Sequence, residues 1–234
     1  MLETSTQIER SDPSSGGTPN TLSRRKFFGM MGAGSALVIA AASCKKNHGP
    51  FDGDAVDLGS GDTGILNYAY ALEQLEAAFY TQVIAHPYEK ISQMEKAYLT
   101  DVRDHEIAHR EFFKAALATS AIKQLEVDFS SVDFKSRNSV LAAAKAFEDL
   151  GVSAYNGAGK LITNPDYLTL AGKIVSVEAR HAALIRDLIS AGSFADMTAV
   201  DSNGLDGAKS PADVLSIAGA FIKTKLDASH LPTS

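Results

Sequence analysis

Val177-Glu178-Ala179-Arg180-His181, inside the run from Thr169 to Gly192, decides the reading of this chain. On a helix, Glu178 and His181 lie three residues apart and share a face with Ile174 and Ile185. An acid and an imidazole are therefore expected within an apolar stripe. Burying an ionised carboxylate without a partner costs several kcal/mol, so a counter-charge such as a metal ion is expected beside them.

The same form occurs upstream. Asp104-His105-Glu106-Ile107-Ala108-His109 is a second Glu-x-x-His, with Leu99, Val102 and Phe113 on the face of Glu106. Two further stripes each hold a lone glutamate: Glu73 among Leu66, Ala69, Ala77 and Tyr80, and Glu148 among Leu141, Ala144, Val152 and Tyr155. In both, Tyr follows the lone Glu by seven residues, and Glu-x-x-His follows at 33 residues from Glu73 and 30 from Glu148. The pattern is one two-helix unit occurring twice.

Helix signals mark out four segments. The first starts at Asp62 or Thr63 as N-cap and runs to about Ala85, ahead of Pro87, with His86 as a terminus residue. The second runs from Ser92, where Glu95 completes a capping box, to Ala118. The third spans Ser139 to Leu161, and the Asn164-Pro165-Asp166 link opens the fourth, which ends at Gly192. Between them, Val127-Asp128-Phe129 and Val132-Asp133-Phe134 alternate as extended chain does. Such a stretch of about 20 residues reaches roughly 60 Å, enough to carry the chain back along a whole helix. The expected architecture is all-α: two antiparallel hairpins joined by one long crossover between the second and third helices. A short helix follows, with Ser210 as N-cap, Pro211 at its first position, and Val214, Leu215, Ala218, Phe221 and Ile222 as an apolar face expected to pack on the bundle.

The 234 residues, 45% hydrophobic and 21% charged, suffice for one packed domain with appendages. A net charge of −6 and the lack of a basic face argue against nucleic acid as a partner. Residues 1–22 are polar and without hydrophobic period. Ser23-Arg24-Arg25-Lys26-Phe27-Phe28 and the Gly- and Ala-rich run Gly29 to Ala42 then resemble a twin-arginine export signal. That run falls short of the roughly 20 residues of a membrane span. Ala41-Ala42-Ser43-Cys44 resembles a bacterial lipobox, which would lipidate Cys44 and attach the protein to a membrane surface; cleavage at small residues near Ala42 is the alternative. Export to the periplasm or cell envelope is thus expected, with residues 1–44 as signal peptide, 45–62 as flexible tether, 63–192 as bundle and 193–234 as a C-terminal extension. His48 is expected to be exposed in the tether. Cys44 is the only cysteine, so stability must come from the core or from metal rather than from an internal disulfide.

Two Glu-x-x-His motifs, two lone glutamates, matched tyrosines and a single crossover together resemble the ferritin-like superfamily of carboxylate four-helix bundles, rubrerythrins included. Leu72-Glu73-Gln74-Leu75-Glu76-Ala77-Ala78-Phe79-Tyr80 is similar to the ferritin-like domain family that includes desiccation-related proteins. The resemblance covers about residues 63–192. It implies a dinuclear metal centre held by Glu73, Glu106, His109, Glu148, Glu178 and His181, with Glu106 and Glu178 bridging and Glu73 and Glu148 terminal. Four carboxylates and two neutral imidazoles balance two divalent cations, and N/O donors suit two iron or manganese ions, with zinc a further option. The alternative is a retired scaffold whose buried polar groups are satisfied without metal.

Neighbouring residues carry two readings each. Glu76 is either a substitute ligand or, as expected, a half-buried acid at the bundle edge. Tyr80 and Tyr155 are either plain core aromatics or hydrogen-bond partners of the ligand carboxylates. His105 points about 100° away from Glu106 and is read as structural. With no Cys in the bundle and no nucleophile–base pair in the stripe, hydrolytic chemistry has little support. Three functions follow in order: a di-iron or di-manganese oxidoreductase of peroxidase, catalase or ferroxidase type acting on a small oxygen species; iron binding or storage; and a structural stress protein. A lipid tether fits a closed cage poorly, so a monomer or homodimer is expected instead.

Overall fold

The structure is a computed structural model and describes residues 55–233. Arg24, Arg25, Cys44 and His48, and with them the export and lipidation expectations, lie outside the described residues. Four long helices carry the domain: α1 (Gly61–Ala85), α2 (Gln93–Leu117), α3 (Arg137–Gly159) and α4 (Pro165–Ile189). A short α5 (Pro211–Ala218) follows, and two two-residue strands, β1 (Val56–Asp57) and β2 (Leu226–Asp227), pair in parallel. Among the described residues no helix is long and apolar enough to cross a membrane.

The caps act largely where the sequence places them. Ser92, Asn164 and Ser210 accept backbone N–H groups from Glu95, Asp166 and Asp213, and Pro165 and Pro211 open their helices. Their side-chain oxygens satisfy donors that a helix start otherwise leaves orphaned. His86 is the C-cap of α1. Two starts differ from expectation: α1 is capped at Ser60, and α3 at Ser136, whose oxygen accepts from Ser139 N. Asp62 instead accepts from Thr163 N and Asn164 N at 2.8 and 2.9 Å, tying the start of α1 to the α3–α4 link.

The hairpins α1–α2 and α3–α4 pack side by side, and the crossover runs along α1. Asn67 donates to Ser120 O and accepts from Ile122 N, Gln74 accepts from Leu125 N, and Phe79 meets the rings of Phe129 and Phe134. Successive positions of α1 thus hold successive positions of the crossover. Seventeen of the 25 residues of α1 are buried, against seven of 25 in α2, so α1 is the central helix.

The tether expectation is corrected at its end. Residues 55–60 are docked: β1 is paired with β2, and Leu58 is fully buried. The segment after α4 is equally tied in. Asp128 N donates to Phe221 O and Lys223 N to Glu126 O, each at 2.8 Å, and Val214 and Ala218 of α5 are fully buried. Arg186 of α4, itself buried, donates twice to Asp149 of α3 at 2.8 Å and once to Thr198 Oγ1 at 2.8 Å. That bidentate pair fixes α3 and α4 against each other, just beyond Glu148 and His181.

Candidate metal centre

Each long helix brings its inward face to the middle of the bundle. Glu73 comes from α1, Glu106 and His109 from α2, Glu148 from α3, and Glu178 and His181 from α4. All four carboxylates are 0% exposed, and the side chains of His109 and His181 are 14% and 5% exposed. The six residues fall into two groups whose donor atoms lie within 4.8 Å of one another: Glu73, Glu106, His109 and Glu178, and Glu106, Glu148, Glu178 and His181. Glu106 and Glu178 belong to both.

Distances show how the shared carboxylates divide. His109 Nδ1 lies 2.8 Å from Glu178 Oε1 and 3.7 Å from Glu106 Oε2, while His181 Nδ1 lies 2.8 Å from Glu106 Oε1 and 3.5 Å from Glu178 Oε2. Each shared glutamate therefore turns one oxygen to each histidine. Glu73 Oε2 stands 3.4 Å from His109 Nδ1, and Glu148 Oε2 stands 3.5 Å from His181 Nδ1.

A family model of the ferritin-like domain matches residues 61–191. The chain belongs to the ferritin-like domain family. A comparison with curated proteins finds no match.

Whether this ferritin-like domain suits a metal can be judged from its buried polar atoms. Both oxygens of Glu106 and Glu178, Oε2 of Glu73 and Glu148, and Nδ1 of both histidines have no hydrogen-bond partner. Close N···O approaches without hydrogen-bond alignment are what lone pairs directed at common points produce. For ligands at roughly 2.1 Å from an ion, neighbouring donor atoms sit about 3 Å apart. The donor set fits two divalent cations in charge, chemistry and spacing.

The remaining oxygens of the terminal glutamates are held by tyrosines. Tyr80 of α1 donates to Glu148 Oε1 on α3 at 2.5 Å, and Tyr155 of α3 donates to Glu73 Oε1 on α1. The two bonds are one contact made twice, once in each half of the repeat, and they run between antiparallel helices. Burial and the adjacent carboxylates push both phenols well above their usual pKa, so they stay protonated donors.

Without a cation the ferritin-like domain must hold protons in its centre. Burial, followed by repulsion from Glu178, pushes Glu73 well above the carboxylate range, and burial is also the main reason that Glu148 rises to about 8. Glu106 is held near 2, because its contacts with His109 and His181 outweigh burial. Burial alone would lower both imidazoles, yet their carboxylate neighbours, Glu106 first, push each to about 12. Protons on the histidines stand in for metal charge, so metal entry must displace them.

Sequence reasoning misplaced one residue and left a contact of another unread. Glu76 is a buried acid, 4% exposed, rather than a half-buried one at the edge. Burial, then the charges of Glu106 and Glu148, pushes its carboxyl far up. It fills space left by Gly151, where an added Cβ would stand 3.1 Å from Glu76 Oε1. The matched halves carried that signal: Gly151 follows Glu148 as Glu76 follows Glu73, at the same offset. His105, read as structural, has Nδ1 only 2.9 Å from His181 Nε2. Helical periodicity held no sign of this, since the partner is on α4.

Proposed function

We propose that the protein is a metal-dependent oxidoreductase whose centre holds two iron or manganese ions and acts on dioxygen, peroxide or ferrous iron. One observation carries this reading: eight buried donor atoms from six residues converge without hydrogen-bond partners, at coordination spacing. Glu106 and Glu178 would bridge, because each presents two free oxygens divided between the histidines. Glu73 and Glu148 would be terminal ligands bound through Oε2, because Oε1 is occupied by a tyrosine in each. When bound, a two-metal carboxylate centre supplies paired redox changes and a place for a small oxygen ligand.

The chain's own residues set the conditions. Tyr80 and Tyr155 hold their protons at Oη and orient the terminal carboxylates. Leu99, Ala144 and Ile185, on the same stripes as Glu106, Glu148 and Glu178, are fully buried. His109 is the most exposed of the six, its side chain 14% exposed against 5% for His181. We also propose, from Arg24-Arg25 and Cys44, that the protein is exported by the twin-arginine route and lipid-anchored at the cell envelope. Replacing Arg24 and Arg25 with Lys should then retain the precursor inside the cell, and normal export of that variant would contradict it.

The functional test is direct. Protein loaded with iron or manganese should consume peroxide or dioxygen, or oxidise added ferrous iron, with a matching change in the metal's optical spectrum. Two bound metals with neither consumption nor spectral change would favour a structural protein instead.

A further inference from the structure

We infer that His105 is a positioning residue for His181, and that it makes the two halves of the centre unequal. The inference rests on the metal reading proposed above. His181 turns Nδ1 toward the carboxylates of Glu106, Glu148 and Glu178, and Nε2 toward His105 Nδ1 at 2.9 Å, with the two rings parallel to within 9°. A neutral imidazole carries one N–H. If Nδ1 offers its lone pair to a cation, that proton resides on Nε2, and from there it can only donate to His105 Nδ1. His105 then carries its own proton on Nε2. An acceptor behind a ligand histidine selects the tautomer, fixes the ring's angle and makes the ligand nitrogen a better donor.

The other half lacks this device. His105 is the residue immediately before Glu106; the residue immediately before Glu178 is Val177, whose side chain has no hydrogen-bonding group. A repeat otherwise matched in ligands and tyrosines is therefore broken at this position. An ion held by Glu148 and His181 would be backed by a second imidazole, and one held by Glu73 and His109 would have no such support from the equivalent position. The first should bind more tightly. His105 is itself exposed on α2, so its replacement removes the acceptor without opening a cavity in the core.

The test is a titration of the apoprotein with Co(II), read by calorimetry and by the metal's absorption bands. Wild type should take up two ions of different affinity. His105→Ala should weaken the tighter step by roughly 10- to 100-fold and leave the weaker step alone. His105→Gln, which restores an acceptor, should recover part of the loss, and the melting temperature of the apoprotein should be the same in all three. In the zinc-loaded protein, nitrogen NMR should find the His181 proton on Nε2. Unchanged affinities in His105→Ala, or a His181 proton on Nδ1, would overturn the inference. So would equal weakening of both steps with a lower apoprotein melting temperature, which marks a purely structural role. A wild-type protein that takes up no cobalt would overturn the metal reading itself, and the inference with it.

Discussion

Glu73 and Glu148 each have one oxygen held by a tyrosine and one left without a partner, so each could offer a metal a single oxygen. Tyr80→Phe or Tyr155→Phe should free that carboxylate to rotate and lower metal affinity by roughly 10- to 100-fold. Each change also leaves a buried oxygen unsatisfied, at a cost of about 1–3 kcal/mol. Metal titration and thermal melts of the two variants check this, and wild-type affinity in both would contradict it. The six residues of the buried cluster were legible because inward-facing acids are rare and here recur at matched spacing. Glu76 and His105 were not, because what decides their place is a residue on another helix: the missing side chain of Gly151 and the outer nitrogen of His181. Periodicity along one helix says which face a residue occupies. It says nothing of what fills the space opposite.

At the scale of elements, the C-terminal segment is built onto the bundle by a close backbone approach. A Cβ at Gly157 would stand 1.7 Å from Lys209 O, and Lys209 N donates to Ser153 O at 2.9 Å. Only a residue without a side chain lets that strand of chain lie on α3. Gly157→Ala should push the segment off, costing about 1–3 kcal/mol or more. The expected result is a lower melting temperature with faster hydrogen exchange at Lys209, and an unchanged melt would show that the contact is dispensable. Helices α1 to α5 were readable from caps and apolar spacing, which are local, although α5 ends at Ala218, short of Phe221 and Ile222, which were read onto its face; Ile222 instead bridges Val127 of the crossover. The docking of residues 55–60 was not, since Val56 and Asp57 are paired with Leu226 and Asp227 at the far end of the chain, and no local signal announces such a partner. The heavier burial of α1, 17 of its 25 residues, has the same origin in the crossover laid along it.

For the whole molecule, a metal bound at this centre would couple protons to stability. In the apoprotein Glu148 keeps its proton up to about pH 8, whereas the unfolded chain releases it in the ordinary carboxylate range. The folded state therefore holds more protons between those limits, and apoprotein stability should fall as pH rises across them. His109 and His181, pushed to about 12, act in the same direction: their contribution is complete below the ordinary imidazole value and is lost as pH rises toward 12. Metal binding strengthens over the same range because it displaces protons. The gap in melting temperature between loaded protein and apoprotein should thus widen from mild acid to pH 8. A metal at a thousand times its Kd adds about 4 kcal/mol, or on the order of 10 °C for a domain of this size. Coincident melts at neutral pH would contradict the account. The most direct test is anomalous diffraction from crystals of the protein loaded with manganese or iron. The account predicts two peaks about 3.5–4 Å apart, enclosed by Glu73, Glu106, His109, Glu148, Glu178 and His181. No metal there, a single ion, or metal only at the surface group of Asp57, Asp227 and His230 would contradict it.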